Sequence, residues 1–202
     1  FDNRKLSAQT VINYAARDGL NIPAYLTLPE GKPAKALPLV AYIHGGPHAR
    51  DMPGYDPMTQ MLASRGYAVL QPQFRMSTGF GWKHYTAGWK QWGMAMQDDI
   101  TDGVAALVKQ GIVDPNRVCI IGASYGGYAT MYGLAKDPDL YKCGVNWVGV
   151  TDINLLFSVS YSDTSDSPFM DDLGVRMHGD PKTDQAYMKA RSALENVGKI
   201  KA

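Results

Sequence analysis

The stretch Arg117-Val-Cys-Ile-Ile-Gly-Ala-Ser-Tyr-Gly-Gly-Tyr-Ala-Thr130 decides how the rest of the chain is read. Residues 118–121 are a short apolar, β-rich run of the kind that forms a strand buried on both faces. Gly122-Ala-Ser124-Tyr-Gly126 follows at once, and the residues from Gly127 onward read as a helix. Strand, sharp turn bearing Ser, then helix is the setting of a G-x-S-x-G nucleophile elbow. A Ser held on a strained turn presents Oγ to a substrate, and the positions two before and two after crowd that turn unless they lack side chains. The N-terminus of the following helix adds N–H groups and positive partial charge where an oxyanion would form.

The pattern alone is weak, because 21 glycines in 202 residues produce about two G-x-x-x-G frames by chance. A second stretch raises it. Residues 39–43 form a continuous apolar run, hence a central strand, and end in His44-Gly-Gly-Pro-His-Ala-Arg-Asp51. In parallel sheets ligands bind off the carboxyl ends of the strands, where both stretches fall. An HGG-type loop after the third strand supplies one oxyanion N–H, and the residue after the nucleophile supplies the other. Here those donors are Gly46 and Tyr125, with Ser124 as nucleophile.

Around these anchors the chain reads in order. Runs at 10–15 and 24–28 flank Arg17-Asp-Gly-Leu-Asn21 and predict an antiparallel hairpin. Residues 57–64 predict a short helix and 68–71 a strand. Residues 74–93 predict a long loop rich in Gly and aromatic residues, a length that usually marks function. The clearest helix is 94–110, with Ile100, Val104, Leu107 and Val108 on one stripe. The elbow helix runs to about residue 136, a strand covers 143–150, a polar excursion 151–170, and a last helix 183–193. The order predicts an α/β-hydrolase fold, a mostly parallel sheet with helices on both faces and an antiparallel entry.

Composition bounds the rest. With 45% hydrophobic and 19% charged residues the chain suits one domain with a sizeable core. Twenty basic against 19 acidic residues leave a net charge of +1, which offers no field for nucleic acid and no polybasic membrane patch. No apolar run approaches the roughly 20 residues of a membrane span. Cys119 and Cys143 are expected as buried free thiols, and two Cys with four scattered His predict neither a metal site nor a cofactor.

Tyr42-Ile-His-Gly-Gly-Pro-His48, Gln73-Phe-Arg-Met-Ser-Thr-Gly-Phe-Gly81, Gln91-Trp-Gly93, Asp98-Asp-Ile-Thr-Asp-Gly103, Asp114-Pro-Asn-Arg-Val118 and Gly122-Ala-Ser-Tyr-Gly-Gly-Tyr128 together resemble the catalytic domain of the prolyl oligopeptidase family. The acylaminoacyl-peptidase and dipeptidyl-peptidase branches are the most similar. The resemblance implies a serine peptidase for short peptides that works through an acyl-enzyme on Ser124. It also implies that Arg75 and Phe80 bind substrate. Met76 departs from it, since relatives usually carry Gly after that Arg.

A Ser nucleophile needs a base and an orienting carboxylate, which follow it in the order Asp or Glu, then His. The only His beyond Ser124 is His178, read as a surface-loop residue. His44 is expected to pack beneath the strand-three turn, and His48 and His84 to meet substrate or solvent. The resemblance places the acid and base beyond Ala202, with a β-propeller before Phe1. The chain is therefore expected to be a partial peptidase domain that lacks its last strands and is inactive alone. An uncovered apolar edge at residues 143–150 is expected to promote self-association. A carboxylesterase-like hydrolase, or a non-catalytic binding module on the same fold, is the alternative.

Overall fold

The computed structural model describes residues 6–157 and 168–202; for residues 168–171 it describes the backbone. Part of the expected excursion at 151–170 thus lies outside the described residues. Six strands form one sheet in the order β1-β2-β4-β3-β5-β6. They are β1 (Gln9–Ala15), β2 (Asn21–Thr27), β3 (Leu37–Ile43), β4 (Ala68–Pro72), β5 (Val113–Ala123) and β6 (Cys143–Trp147). The first two make the expected hairpin, and β2 runs antiparallel to β4. The pairs β3–β4, β3–β5 and β5–β6 are parallel. The antiparallel entry and parallel centre follow from the sequence pattern: Leu39, Ala41, Ile43, Val118 and Ile120 are all fully buried, as central strands require.

The helices are α1 (Pro57–Ser64), α2 (Trp82–Thr86), α3 (Ala95–Lys109), α4 (Tyr125–Lys136), α5 (Pro168–His178), α6 (Gln185–Arg191) and α7 (Ala193–Asn196). Asp56 caps α1 by accepting the Thr59 N–H at 2.6 Å, and Pro57 opens it. The apolar stripe of α3 is buried at Met96, Ile100, Val104 and Leu107, while Asp98 in its first turn and Lys109 in its last complement the helix dipole. Lys136 near the end of α4 reaches back to Asp98 at 2.7 Å, tying the two longest helices together.

Four expectations change. The 74–93 loop contains α2, whose five residues are too few for a periodic signal. His178 lies not in a surface loop but at the end of α5, edge-on to Trp92 with ring centroids 4.7 Å apart. The expected last helix breaks at Ser192, an extended residue whose Oγ donates to Asp152 at 3.1 Å. Cys119 and Cys143 are not free thiols: they sit opposite each other in the β5–β6 register, Cα atoms 4.7 Å apart, and form a disulfide. Sequence spacing alone could not bring them together, because their pairing depends on strand register.

Candidate active site

Ser124 stands between β5 and α4 with φ 56° and ψ −117°, a conformation costly for any residue with a Cβ. Its N–H donates to Trp147 O at 3.0 Å, and its carbonyl accepts the Tyr128 N–H at 3.0 Å as the first bond of the helix. The turn is thereby held between β6 and α4. It closes only because its flanks have no side chains. A Cβ on Gly126 would run into the carbonyl oxygen of Ile43, and one on Gly122 would stand 2.6 Å from Gly126 O.

The loop after β3 lies directly against this turn. A Cβ on Gly45 would stand 3.4 Å from Ser124 Cβ and 3.9 Å from its Oγ. Gly46 has φ 112° and precedes a cis peptide bond to Pro47; a side chain there would meet the His48 nitrogen at 2.8 Å. The backbone of this loop is therefore brought against the nucleophile turn itself. Tyr125 opens α4, so its N–H is one of the first four helical donors, which have no intrahelical acceptor. Its ring is core: 1% exposed, packed on Phe74 at 5.2 Å and Trp92 at 4.7 Å. Any oxyanion role thus belongs to the Tyr125 backbone.

His44 packs beneath the turn as expected. It stacks on Phe74 at 4.4 Å, and its two ring nitrogens face Gly45 O at 2.7 Å and Ser77 Oγ at 2.9 Å. A carbonyl can only accept, so Nδ1 carries the proton and Ser77 donates to Nε2. Burial lowers the His44 pKa to about 4, with the Gly45 carbonyl pulling weakly the other way. Two further ties fix the loop. Gln73 brackets Asp51 through both backbone groups, at 3.2 and 3.0 Å, and the Thr78 N–H donates to Ala49 O at 2.9 Å.

The residues expected to bind substrate, Arg75 and Phe80, line one cavity and make strong contacts within the protein. The Arg75 guanidinium is committed to two carboxylates: Nε and Nη2 donate to Asp99 at 2.8 Å each, and Nη1 donates to Asp18 at 2.8 Å. Its backbone N–H also donates to Asp99 Oδ2 at 2.8 Å. Such a cation has little left for substrate, and we assign Arg75 to holding the β1–β2 turn and α3 onto this segment. Phe80 lies under the Arg50 guanidinium at 5.1 Å, and with Arg75, Asp18 and Lys83 lines a cavity of about 530 Å³. His84 is buried, with Nε2 against the carbonyls of Gln73 and Phe74 at 3.0 and 3.1 Å, rather than meeting substrate or solvent. Burial also lowers the His178 pKa to about 4, with the nearby His48 adding to the shift. No hydrogen bond joins an imidazole to Ser124 Oγ among the described residues.

The structure accommodates Met76 at the position where the resemblance implies Gly. Met76 adopts φ 85°, the region that favours Gly, while its side chain is fully buried. Room for it comes from Gly88, where a Cβ would collide with the Met76 Cβ.

Known proteins resemble this chain in sequence and in fold. The family model described as the prolyl oligopeptidase family matches residues 53–202. Dipeptidyl aminopeptidase BIII of Pseudoxanthomonas mexicana is 42% identical over 210 residues, covering 100% of this chain and 30% of the relative. Dipeptidyl peptidase family member 6 of Caenorhabditis elegans is 38% identical across 73% of this chain and 23% of its own length. A puromycin-hydrolyzing peptidase of Mycobacterium tuberculosis superposes with a TM-score of 0.88 at 25% identity, over 99% of this chain and 30% of that one. The chain thus spans about a third or less of the length of these relatives. By sequence and by fold, the chain belongs to the prolyl oligopeptidase family.

Proposed function

We propose that this chain carries the nucleophile and oxyanion half of a serine peptidase site that hydrolyses short peptides. The observation that carries this reading is the conformation of Ser124, strained at φ 56° on the turn into α4, with the Gly45 backbone close against that turn. Ser124 Oγ attacks the scissile carbonyl carbon, and the N–H groups of Tyr125 and Gly46 hold the oxyanion. Collapse breaks the C–N bond and leaves the acyl group on Ser124; water then cleaves that ester. The base that takes the Ser124 proton and passes it to the leaving amine, with its orienting carboxylate, comes from polypeptide outside these 202 residues, as does a β-propeller. His44 is not that base: its two ring nitrogens are engaged and its pKa is depressed.

The dipeptidyl aminopeptidase and puromycin-hydrolyzing relatives support a peptide or aminoacyl-amide substrate over an ester. The test compares an aminoacyl amide with a short-chain ester of equal length, using a polypeptide that includes the neighbouring segments. Turnover of the amide, abolished in Ser124→Ala, is expected; turnover of the ester alone would assign an esterase.

The edge strand β6 adds a partner to this reading. Val145, Trp147 and Val148 are 60%, 63% and 78% exposed on and just after β6, which pairs with β5 alone among the described strands. We infer that this edge drives self-association of the 202-residue chain. Light scattering that finds a monomer at tens of micromolar would refute it.

A further inference from the structure

A second cavity is lined by residues distinct from those around Arg75. It is a cleft of about 680 Å³, within the size range of small-ligand sites, and its walls include His48, Thr78, Gly79, Trp82, Tyr85 and Leu173. Among the described residues its lining includes no carboxylate or ammonium, although the Arg50 guanidinium stands beside Gly79, whereas Asp18, Arg75 and Lys83 line the cavity around Phe80. Its lining includes His48, two residues along the chain from Gly46, the proposed oxyanion donor. Partial burial lowers the His48 pKa.

One wall is an aromatic shelf. Trp82 is 71% exposed, an unusual cost in hydration for a Trp, yet it is braced rather than free. It stacks on Tyr85 at 5.7 Å and meets Trp89 edge-on at 5.7 Å. The two walls are tied to each other. Thr78 donates to Ala49 O at 2.9 Å, and the Arg50 guanidinium lies over Phe80 at 5.1 Å. An aromatic-walled cleft whose nearest described charge is a cation suits a flat apolar group that can stack on Trp82 while losing water, and disfavours a cationic one.

We propose that this cleft is a specificity subsite that receives an uncharged aromatic side chain of the peptide. The proposal rests on the peptidase reading above. It assigns to Trp82 and Tyr85 the recognition that the sequence reading gave to Arg75 and Phe80.

The test is calorimetric titration of the Ser124→Ala chain, in which no turnover can consume the ligand, with the amides of Gly-Phe-Gly, Gly-Ala-Gly and Gly-Lys-Gly. The Phe peptide is expected to bind at least tenfold more tightly than the other two. Trp82→Ala in the same background brings the three within about threefold of each other, while Trp82→Phe retains the preference because the stacking surface remains. Equal or undetectable binding of all three, or a preference that survives Trp82→Ala, overturns the subsite. The peptidase reading is judged separately by covalent labelling of Ser124, so either can fail without the other.

Discussion

Arg75 and Asp99 form a closed, doubly hydrogen-bonded pair, with side chains only 7% and 0% exposed. Charges this far from water need their partners: removing Arg75 strands Asp99, and neutralising Asp99 leaves the buried Arg75 with the half-exposed Asp18 alone. Asp99→Asn is therefore expected to lower unfolding stability by about 3 kcal/mol. Arg75→Lys also destabilises, since an ammonium cannot reproduce the planar fork that meets both Asp99 oxygens. Guanidinium unfolding midpoints test this. A variant with an unchanged midpoint and weakened peptide binding would return Arg75 to the substrate.

Met76 and Gly88 are expected to be coupled. Met76 at positive φ costs roughly 1–2 kcal/mol of backbone strain, whereas deleting a buried Met side chain costs about 2–5 kcal/mol. The packing loss wins, so Met76→Gly destabilises despite relieving the backbone. Gly88→Ala destabilises the parent chain through its clash with the Met76 Cβ, and does so less when Met76 is already Gly. Urea unfolding of the two single variants and the double variant measures the coupling; strict additivity would contradict the assigned contact.

Stability should depend on pH through groups of opposite sign. His44 and His178 have folded pKa values lowered to about 4 from 6.5, so the unfolded chain binds more protons between those values and stability falls as pH drops through that window. Asp51 behaves oppositely. Burial raises its pKa to about 7 from 3.8, with Asp56 adding to the shift, so the folded chain binds the extra proton and stability falls as pH rises from 4 to 7. The two slopes oppose each other between pH 4 and 6.5. Asp51→Asn removes one of them, so its stability should climb more steeply with pH than that of the parent. Unfolding midpoints at pH 4.5, 5.5 and 6.5 provide the comparison, and parallel curves would refute the Asp51 assignment.

The parts of the fold visible in the sequence are those set by local pattern. Asp18-Gly19 between β-prone runs announced the β1–β2 hairpin, and the apolar stripe from Ile100 to Leu107 announced α3. Gly122, Ser124 and Gly126 marked the elbow because the turn excludes Cβ atoms at fixed offsets. What escaped was set by contacts distant in sequence. The Cys119–Cys143 disulfide depends on the β5–β6 register. His178 is placed by Trp92, 86 positions away in the chain. Arg75 looked free for substrate because its partners, Asp18 and Asp99, lie on separate elements. Trp82 could be read as one more loop aromatic; only its exposure together with its bracing by Tyr85 and Trp89 singles it out.

The most direct test of the central claim is fluorophosphonate labelling of Ser124, in this chain and in a polypeptide that continues past Ala202, each beside its Ser124→Ala variant. The account predicts labelling of the longer polypeptide, its loss on Ser124→Ala, and little or none in the 202-residue chain. Labelling that persists in Ser124→Ala, or a longer polypeptide that does not label at all, would contradict the assignment of Ser124 as the nucleophile.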